Sequence, residues 1–217
     1  ITLNVEASEF HRAYRHSDPE IGETVGIDRG LKTFAVVASK TGDEVARIEG
    51  PRPLRHDLRK LRRRSKALSR KKLDSRNRHR ARARVAKAHA RISHVRRDFV
   101  HRESTRLAKI HGRLVIEDLC TMGLMRTSLA RSVADSAWSL FATLLTYKAR
   151  WYGATLVVAD RFFPSTRTCS ACGHVGDKLT LSVRTFHCSR CGHEADRDTN
   201  AAVNLARYVE GDSPSGP

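Results

Sequence analysis

Between Arg52 and Arg113 the chain concentrates 24 lysines and arginines against 4 acidic residues, a net of +20 over 62 positions. Such a stretch cannot be folded into a core, because ionised groups are costly to bury without partners. It must lie on the outside of one. The other 155 residues carry 17 basic and 19 acidic side chains, so the whole-chain net charge of +18 belongs to this one segment. A near-neutral body with one basic segment is the pattern of a dedicated polyanion-binding element, not of a generally basic surface.

The basic segment has helical spacing. Leu54, Leu58 and Leu61 recur at four and three positions, and Val85, Ala88, Ile92, Val95 and Phe99 at three, four, three and four. The polar stretch KKLDSRN, 71–77, interrupts the pattern, which predicts a helical hairpin or two helices in series across 52–111. Aromatic residues are almost absent there, so the helices are expected to grip phosphates and not to stack bases. Candidate contacts are Arg59, Arg62, Arg63, Arg64, Arg70, Lys71, Arg78, Arg82 and Arg84.

The body alternates short apolar runs with helical patterns. TVGIDRG, 24–30, and TFAVVAS, 33–39, read as strands joined by a tight turn at Gly30, and 43–50 closes a meander. RLVIED, 113–118, and TLVVAD, 155–160, read as buried strands. Between them a helix over 135–152 sets Trp138, Phe141, Leu145 and Lys148 on one face, with Asp135 or Ser136 available as its cap. DTNAAVNLARYV, 198–209, closes the ordered part as a helix capped by an aspartate. The chain opens on Ile1, so residues 1–20 are expected to be the remnant strand of a truncated N-terminal domain, and 211–217 a disordered tail. No stretch reads as a membrane span or signal peptide, and a cytoplasmic protein is the expectation. Oligomeric state is not legible.

Three acids stand where this order of elements meets its core edge. Asp28 lies in an apolar strand, Glu117 ends another, and Asp198 begins the last helix. An acid in an apolar strand is costly unless it is paired, hydrogen-bonded or metal-bound. Cutting a phosphodiester uses carboxylates that converge on hard divalent ions, two of them about 4 Å apart. A strand-capping role beside Arg29, a helix-capping role for Asp198, and confusion with the neighbouring Asp118 and Asp196 stay open on spacing alone. Four of the five cysteines fall in CSACG and CSRCG, so Cys169, Cys172, Cys188 and Cys191 form two C-x2-C pairs fifteen residues apart. That spacing closes a tetrahedral, structural zinc site with four sulfur ligands, leaving His174, His187 and His193 outside it.

In this order, GIDRGLKTFAVVAS, the basic run, LVIEDL, CSACG…CSRCG and DRDTNAAVNLA resemble the TnpB (OrfB) proteins of insertion sequences, relatives of the type V CRISPR effectors. The resemblance spans residues 24–208. It implies an α/β, RNase H-like (RuvC) domain in three parts, 21–51, 112–164 and 195–210, with a basic helical insertion at 52–111 and a zinc ribbon at 165–194. It also implies an RNA-guided DNA endonuclease, with guide RNA and target DNA as partners and magnesium held by Asp28, Glu117 and Asp198, and it favours Asp198 over Asp196. Arg29 stands where some relatives carry an apolar residue. The family's N-terminal wedge and recognition region has no counterpart here, so guided cutting is expected of the longer parent. A nuclease-inactive regulator, a transposase and a basic zinc-ribbon RNA-binding protein are the alternatives.

Overall fold

The computed structural model describes residues 23–180 and 182–209. The remnant strand expected within 1–20 and the tail at 211–217 lie outside the described residues. Five strands, β1 (Thr24–Arg29), β2 (Ala35–Ser39), β3 (Glu44–Ile48), β4 (Arg113–Glu117) and β5 (Thr155–Ala159), form one sheet in the order β3-β2-β1-β4-β5. The expected meander is there, with β2 antiparallel to both β1 and β3, while β1–β4 and β4–β5 are parallel. The helices are α1 (Pro53–Ser69), α2 (Arg76–Ile110), α3 (Thr121–Leu124), α4 (Ala130–Ser136), α5 (Trp138–Tyr152) and α6 (Arg197–Ala206). A separate two-stranded sheet pairs β6 (Thr185–His187) with β7 (Glu194–Asp196).

Side chains alternate across a strand, so each strand of the sheet serves two cores. Val25, Ile27, Ala35, Val37, Leu114 and Ile116 face α2 and α5, where Phe34 meets Phe99 and Phe141 edge-on at 4.8 and 5.1 Å. Val36, Ala38, Val115, Val157 and Ala159 face the other way, onto Ala202, Val203, Leu205 and Tyr208 of α6 and the turn after it. Gly26 lies on this second face. A Cβ there would fall 2.0 Å from the Ala202 carbonyl oxygen and 2.4 Å from the Ala206 nitrogen, so only glycine lets the helix backbone settle directly on β1.

α2 belongs to both halves of the molecule. Its first half packs on α1 through Leu54, Leu61, Val85, Ala88 and Ile92, making the expected hairpin, while Phe99, Val100, Leu107 and Ala108 join the body core. At 35 residues it is about 52 Å long. The α5 face holds as expected, and the buried Lys148 ammonium donates to the His101 carbonyl (2.7 Å), Ser104 Oγ (2.8 Å) and Thr105 Oγ1 (2.7 Å) of α2. Three donors meet three acceptors, so the cation needs no carboxylate, though burial lowers its pKa to about 8.

The single helix expected over 135–152 is two helices. Ala137 takes a left-handed conformation (φ 56°) that ends α4 and starts α5, and neither Asp135 nor Ser136 caps α5. Asp135 instead caps α1 from a distance. Its two carboxylate oxygens accept from the Leu54 and Arg55 backbone nitrogens at 3.0 and 3.1 Å, and Arg96 of α2 pairs with it at 3.0 Å. α1 needs this help because its own N-cap residue, Arg52, offers no side-chain acceptor. Asp135 is buried and satisfied by three donors, so Asp135→Ala should lower the unfolding free energy by about 3 kcal/mol in urea titration. Ser136→Ala should change it little, and equal effects of the two would remove Asp135 from this role.

Candidate functional site

The register of the parallel pair brings two of the three acids together. Ile27 pairs with Ile116, so the next step outward places Asp28 beside Glu117 at the C-terminal ends of β1 and β4. Alternation turns both side chains to the α6 face, the face on which Gly26 admits that helix. α6 begins above this corner, and Asp198 sits in its first turn. Asp28 is 8% exposed, and its pKa is raised well above the carboxylate range, first by burial and then by the Glu117 carboxyl, which also hydrogen-bonds it, and by Asp198. Arg197 pulls the other way. Burial and the two neighbouring acids thus favour the protonated form of Asp28.

The neighbouring acids that sequence could not separate have other occupations. Asp196, not Asp198, is the N-cap of α6, its Oδ1 accepting from the backbone nitrogens of Asp198 (3.1 Å) and Thr199 (3.0 Å). The capping aspartate expected at 198 is therefore two residues earlier, because the chain is still in β7 at Asp196. That frees the Asp198 carboxylate, which pairs with Arg197 at 3.1 Å. Asp196 also meets Arg47 (3.1 Å), which holds Glu44 at 2.6 Å and so ties the helix start to β3. Asp118 is taken by Arg161 at 2.6 Å on the surface.

Arg29 points to the opposite face, and its Nη2 donates to the Glu117 backbone carbonyl. It is 7% exposed, and burial lowers its pKa against the pull of Glu117 and Asp28. The guanidinium thus fixes the end of β4 and adds a positive charge behind the carboxylates. A cleft of about 420 Å³ opens beside Glu117, lined by Asp118, Cys120, Arg161, Phe163 and Thr166 among others.

The four cysteines converge as expected, with all four sulfurs within 4.8 Å of one another. Cys169 and Cys191 are 3.7 Å apart, as are Cys172 and Cys188. Each pair sits in the same turn, the first sulfur's residue bonded to the carbonyl five positions on (Cys169 to His174, 2.8 Å; Cys188 to His193, 2.9 Å) and closed by a left-handed glycine, Gly173 or Gly192. Backbone N–H groups of Cys191 and Arg190 aimed at the Cys188 sulfur lower its pKa to about 6. Four soft donors at this spacing suit a metal ion such as zinc. His187 is occupied with Glu194 at 3.1 Å.

Two residues that sequence reasoning passed over join this site to the first. Asn200 and Asn204, one turn apart and buried on α6, clamp the base of the cysteine turns. Asn200 Oδ1 accepts from Ser170 N (2.9 Å) and its Nδ2 donates to the Thr168 carbonyl (2.8 Å), while Asn204 Nδ2 donates to Ser165 and Thr168 carbonyls (2.8 and 2.6 Å). Paired asparagines at i, i+4 inside an otherwise apolar helix were the available signal. Of the nine basic candidates, Arg59, Arg62, Arg63, Arg70, Lys71, Arg82 and Arg84 are exposed. Arg64 and Arg78 are half-buried and reach backbone carbonyls across the hairpin, Arg64 to Arg84 (3.5 Å) and Arg78 to Leu68 and Lys71 (3.4 Å each).

Comparison with known proteins yields a family. The OrfB_IS605 family model, described as "Probable transposase", matches residues 3–128, and that of the "Cas12f1-like, TNB domain" matches 138–205. A Mycobacterium tuberculosis protein named "Putative RNA-guided DNA endonuclease Rv2885c" is 41% identical over 200 residues, 89% of this chain and 43% of its own length. A Streptomyces pristinaespiralis protein named "Putative RNA-guided DNA endonuclease" is 43% identical over 188 residues, 86% of this chain and 45% of its own. The chain thus spans about half the length of the curated relatives it matches. The structure described as "Cryo-EM structure of the Cas12f1-sgRNA-target DNA complex" has a similar mixed α/β fold, with a TM-score of 0.60 at 20% identity over 95% of this chain and 52% of that one. No helix among the described residues is long and apolar enough to cross a membrane.

Two outcomes follow from the geometry. A folded-state pKa raised above the unfolded one means that stability falls as pH climbs from the ordinary aspartate value, near 4, through the raised one. Asp28→Asn removes that loss, so without added divalent metal at neutral pH it should melt several degrees higher than the parent. A lower melting temperature would show that the buried carboxylate is not a source of strain. Stripping metal with a chelator should expose residues 165–193 to protease, because so small a ribbon has too little core to hold itself, and unchanged digestion would count against a metal there.

Proposed function

The chain belongs to the OrfB_IS605 family, and from that membership we propose that its carboxylate corner is the cutting site of an RNA-guided DNA endonuclease. The observation that carries this reading is Asp28, buried at one sheet end, hydrogen-bonded to Glu117 and within charge range of Asp198 in the first turn of α6. Arg197 and Arg29 offset that arrangement only in part, since like charges in a dry corner destabilise the fold. Oxygen donors of this kind fit magnesium, two ions in the usual arrangement of phosphodiester hydrolysis. The sheet order, its mixed strand directions, and α6 on one face with α2 and α5 on the other support an RNase H-like (RuvC) body. On this reading that body is made of 21–51, 112–164 and 195–210, interrupted by the basic insertion and the ribbon.

Each residue then has a task. Asp28 and Glu117 present oxygens from rigid strand ends, with Arg29 anchoring the Glu117 backbone. Asp198 is carried by a helix whose start is capped by Asp196 and tied to β3 through Arg47. Bound magnesium would polarise the scissile phosphate and lower the pKa of the attacking water. The zinc ribbon braces α6 through Asn200 and Asn204, and the exposed arginines of the hairpin neutralise phosphates of guide RNA and target DNA. A cytoplasmic, nucleoid-associated place of action goes with this reading.

The test is cleavage of labelled DNA by the full-length protein with its RNA in magnesium. Asp28→Ala and Glu117→Ala should each reduce cutting to background while leaving nucleic-acid binding within about twofold, since most binding comes from the basic helices. Cutting by either variant at the parent's rate would remove these acids from the site. Loss of binding in step with cutting would assign them a structural role.

A further inference from the structure

The most exposed large hydrophobic side chain among the described residues is Phe162, with 82% of its surface open. It lies in the chain between Arg161 and Phe163, which both line the cleft beside Glu117. Its outward pose is built into the turn that follows β5. Asp160 Oδ1 accepts from Phe162 N at 2.8 Å, and the Asp160 carbonyl accepts from Phe163 N at 3.0 Å. Arg161 is clamped on Asp118 by two bonds of 2.6 and 2.9 Å. Phe163 goes inward, its ring meeting Tyr208 at 5.0 Å, and the Tyr208 hydroxyl accepts from Asp160 N at 3.2 Å. With the inner place filled and the backbone pinned on both sides, the second ring is held out in water.

A lone exposed ring is ordinary on a protein surface, but one whose backbone is pinned beside a cleft is available to a ligand there. What it contacts is indicated by its neighbours. The cleft combines an arginine and an aromatic edge with carboxylates whose charge a bound divalent cation would offset, and with that offset it suits a ligand with planar apolar faces on an anionic thread. We infer that Phe162 is a stacking platform for an unpaired base of the strand entering the carboxylate cleft. Paired bases hide their faces, so the platform favours single-stranded over duplex substrate. This role rests on the nuclease reading for its purpose, though not for its detection. It also adds an aromatic contact outside the basic hairpin, which grips phosphate and has almost no rings of its own.

The test uses the full-length protein and single-stranded DNA carrying 2-aminopurine at successive positions. Binding should quench fluorescence at one or two adjacent positions, Phe162→Ala should abolish that local quench, and Phe162→Trp should restore it. In magnesium, Phe162→Ala should slow cleavage roughly tenfold, and an abasic nucleotide at the quenched position should slow the parent equally while costing the variant nothing further. Phe162 supports no other side chain, so the variant should melt with the parent. The same quench profile in Phe162→Ala and parent would overturn the inference, as would an abasic penalty of the same size in both. A quench that depends on Phe162 with no cleavage by any form would leave the platform standing and defeat the nuclease reading. Cleavage by the parent with no position-dependent quench would do the reverse.

Discussion

The seat of α6 on β1 is the contact on which the rest depends. With no side chain at Gly26 between them, the helix backbone reaches the strand, and Ala201, Ala202 and Ala206 keep that interface thin. Because α6 carries Asp198 at one end and Asn200 and Asn204 along its flank, its height above the sheet sets both the carboxylate spacing and the position of the ribbon. A bulkier seat would separate the acids without altering any of them. Pleat parity does the remaining alignment. Asp28 and Glu117 share a face because β1 and β4 are parallel neighbours in register, and a slip of one residue would send one of them into the opposite core.

The carboxylate corner is disfavoured by the body that contains it, and the body tolerates it through strength elsewhere. Phe34, Phe99, Phe141 and their aliphatic neighbours form a close-packed cluster on the sheet face opposite the one to which Asp28 and Glu117 turn. Arg29 works at the boundary between the two. It is buried on the apolar side yet bonded to the backbone of an acid on the polar side, so it offsets charge without blocking the carboxylate oxygens. The cysteine site acts as a second brace, since its turns are fastened to α6 by side-chain amides whose geometry depends on the turns being closed. Local disfavour compensated by distant packing is what a functional site leaves in a fold.

The five strands of the sheet and the hairpin were legible within a residue or two because their signals are local: apolar runs, helical spacing, and a polar break at 71–77. The cysteine cluster was legible from spacing and Asp28 and Glu117 as candidates from their placement in apolar strands, whereas the preference for Asp198 over Asp196 rested on the family resemblance. What escaped was nonlocal or lacked a marker. Ala137 breaks a helix although alanine is its best former, since the reason lies in packing α4 and α5 against different neighbours. Asp135 reads as a cap for the helix it precedes but serves the first turn of α1, bonding Leu54 81 positions earlier. Asp196 and Asp198 differ only in where β7 ends, which sequence does not mark. Arg64 and Arg78 look like their exposed neighbours until the partner helix is placed beside them.

The continuity of α2 limits how this architecture can change. Ile92, in the hairpin cluster, and Phe99, in the body cluster, are seven residues apart, two turns of one unbroken helix. One residue inserted between them would swing the whole basic hairpin about 100° around the body and advance it by about 1.5 Å. Two helical clusters on one shaft are geared together, so length variation within α2 is confined to steps near whole turns. Variation at the 70–75 loop carries no such restriction, because that loop is the tip of the hairpin and its two helices are each anchored to the body at their other ends. The hairpin's reach can therefore change while its azimuth about the body stays fixed.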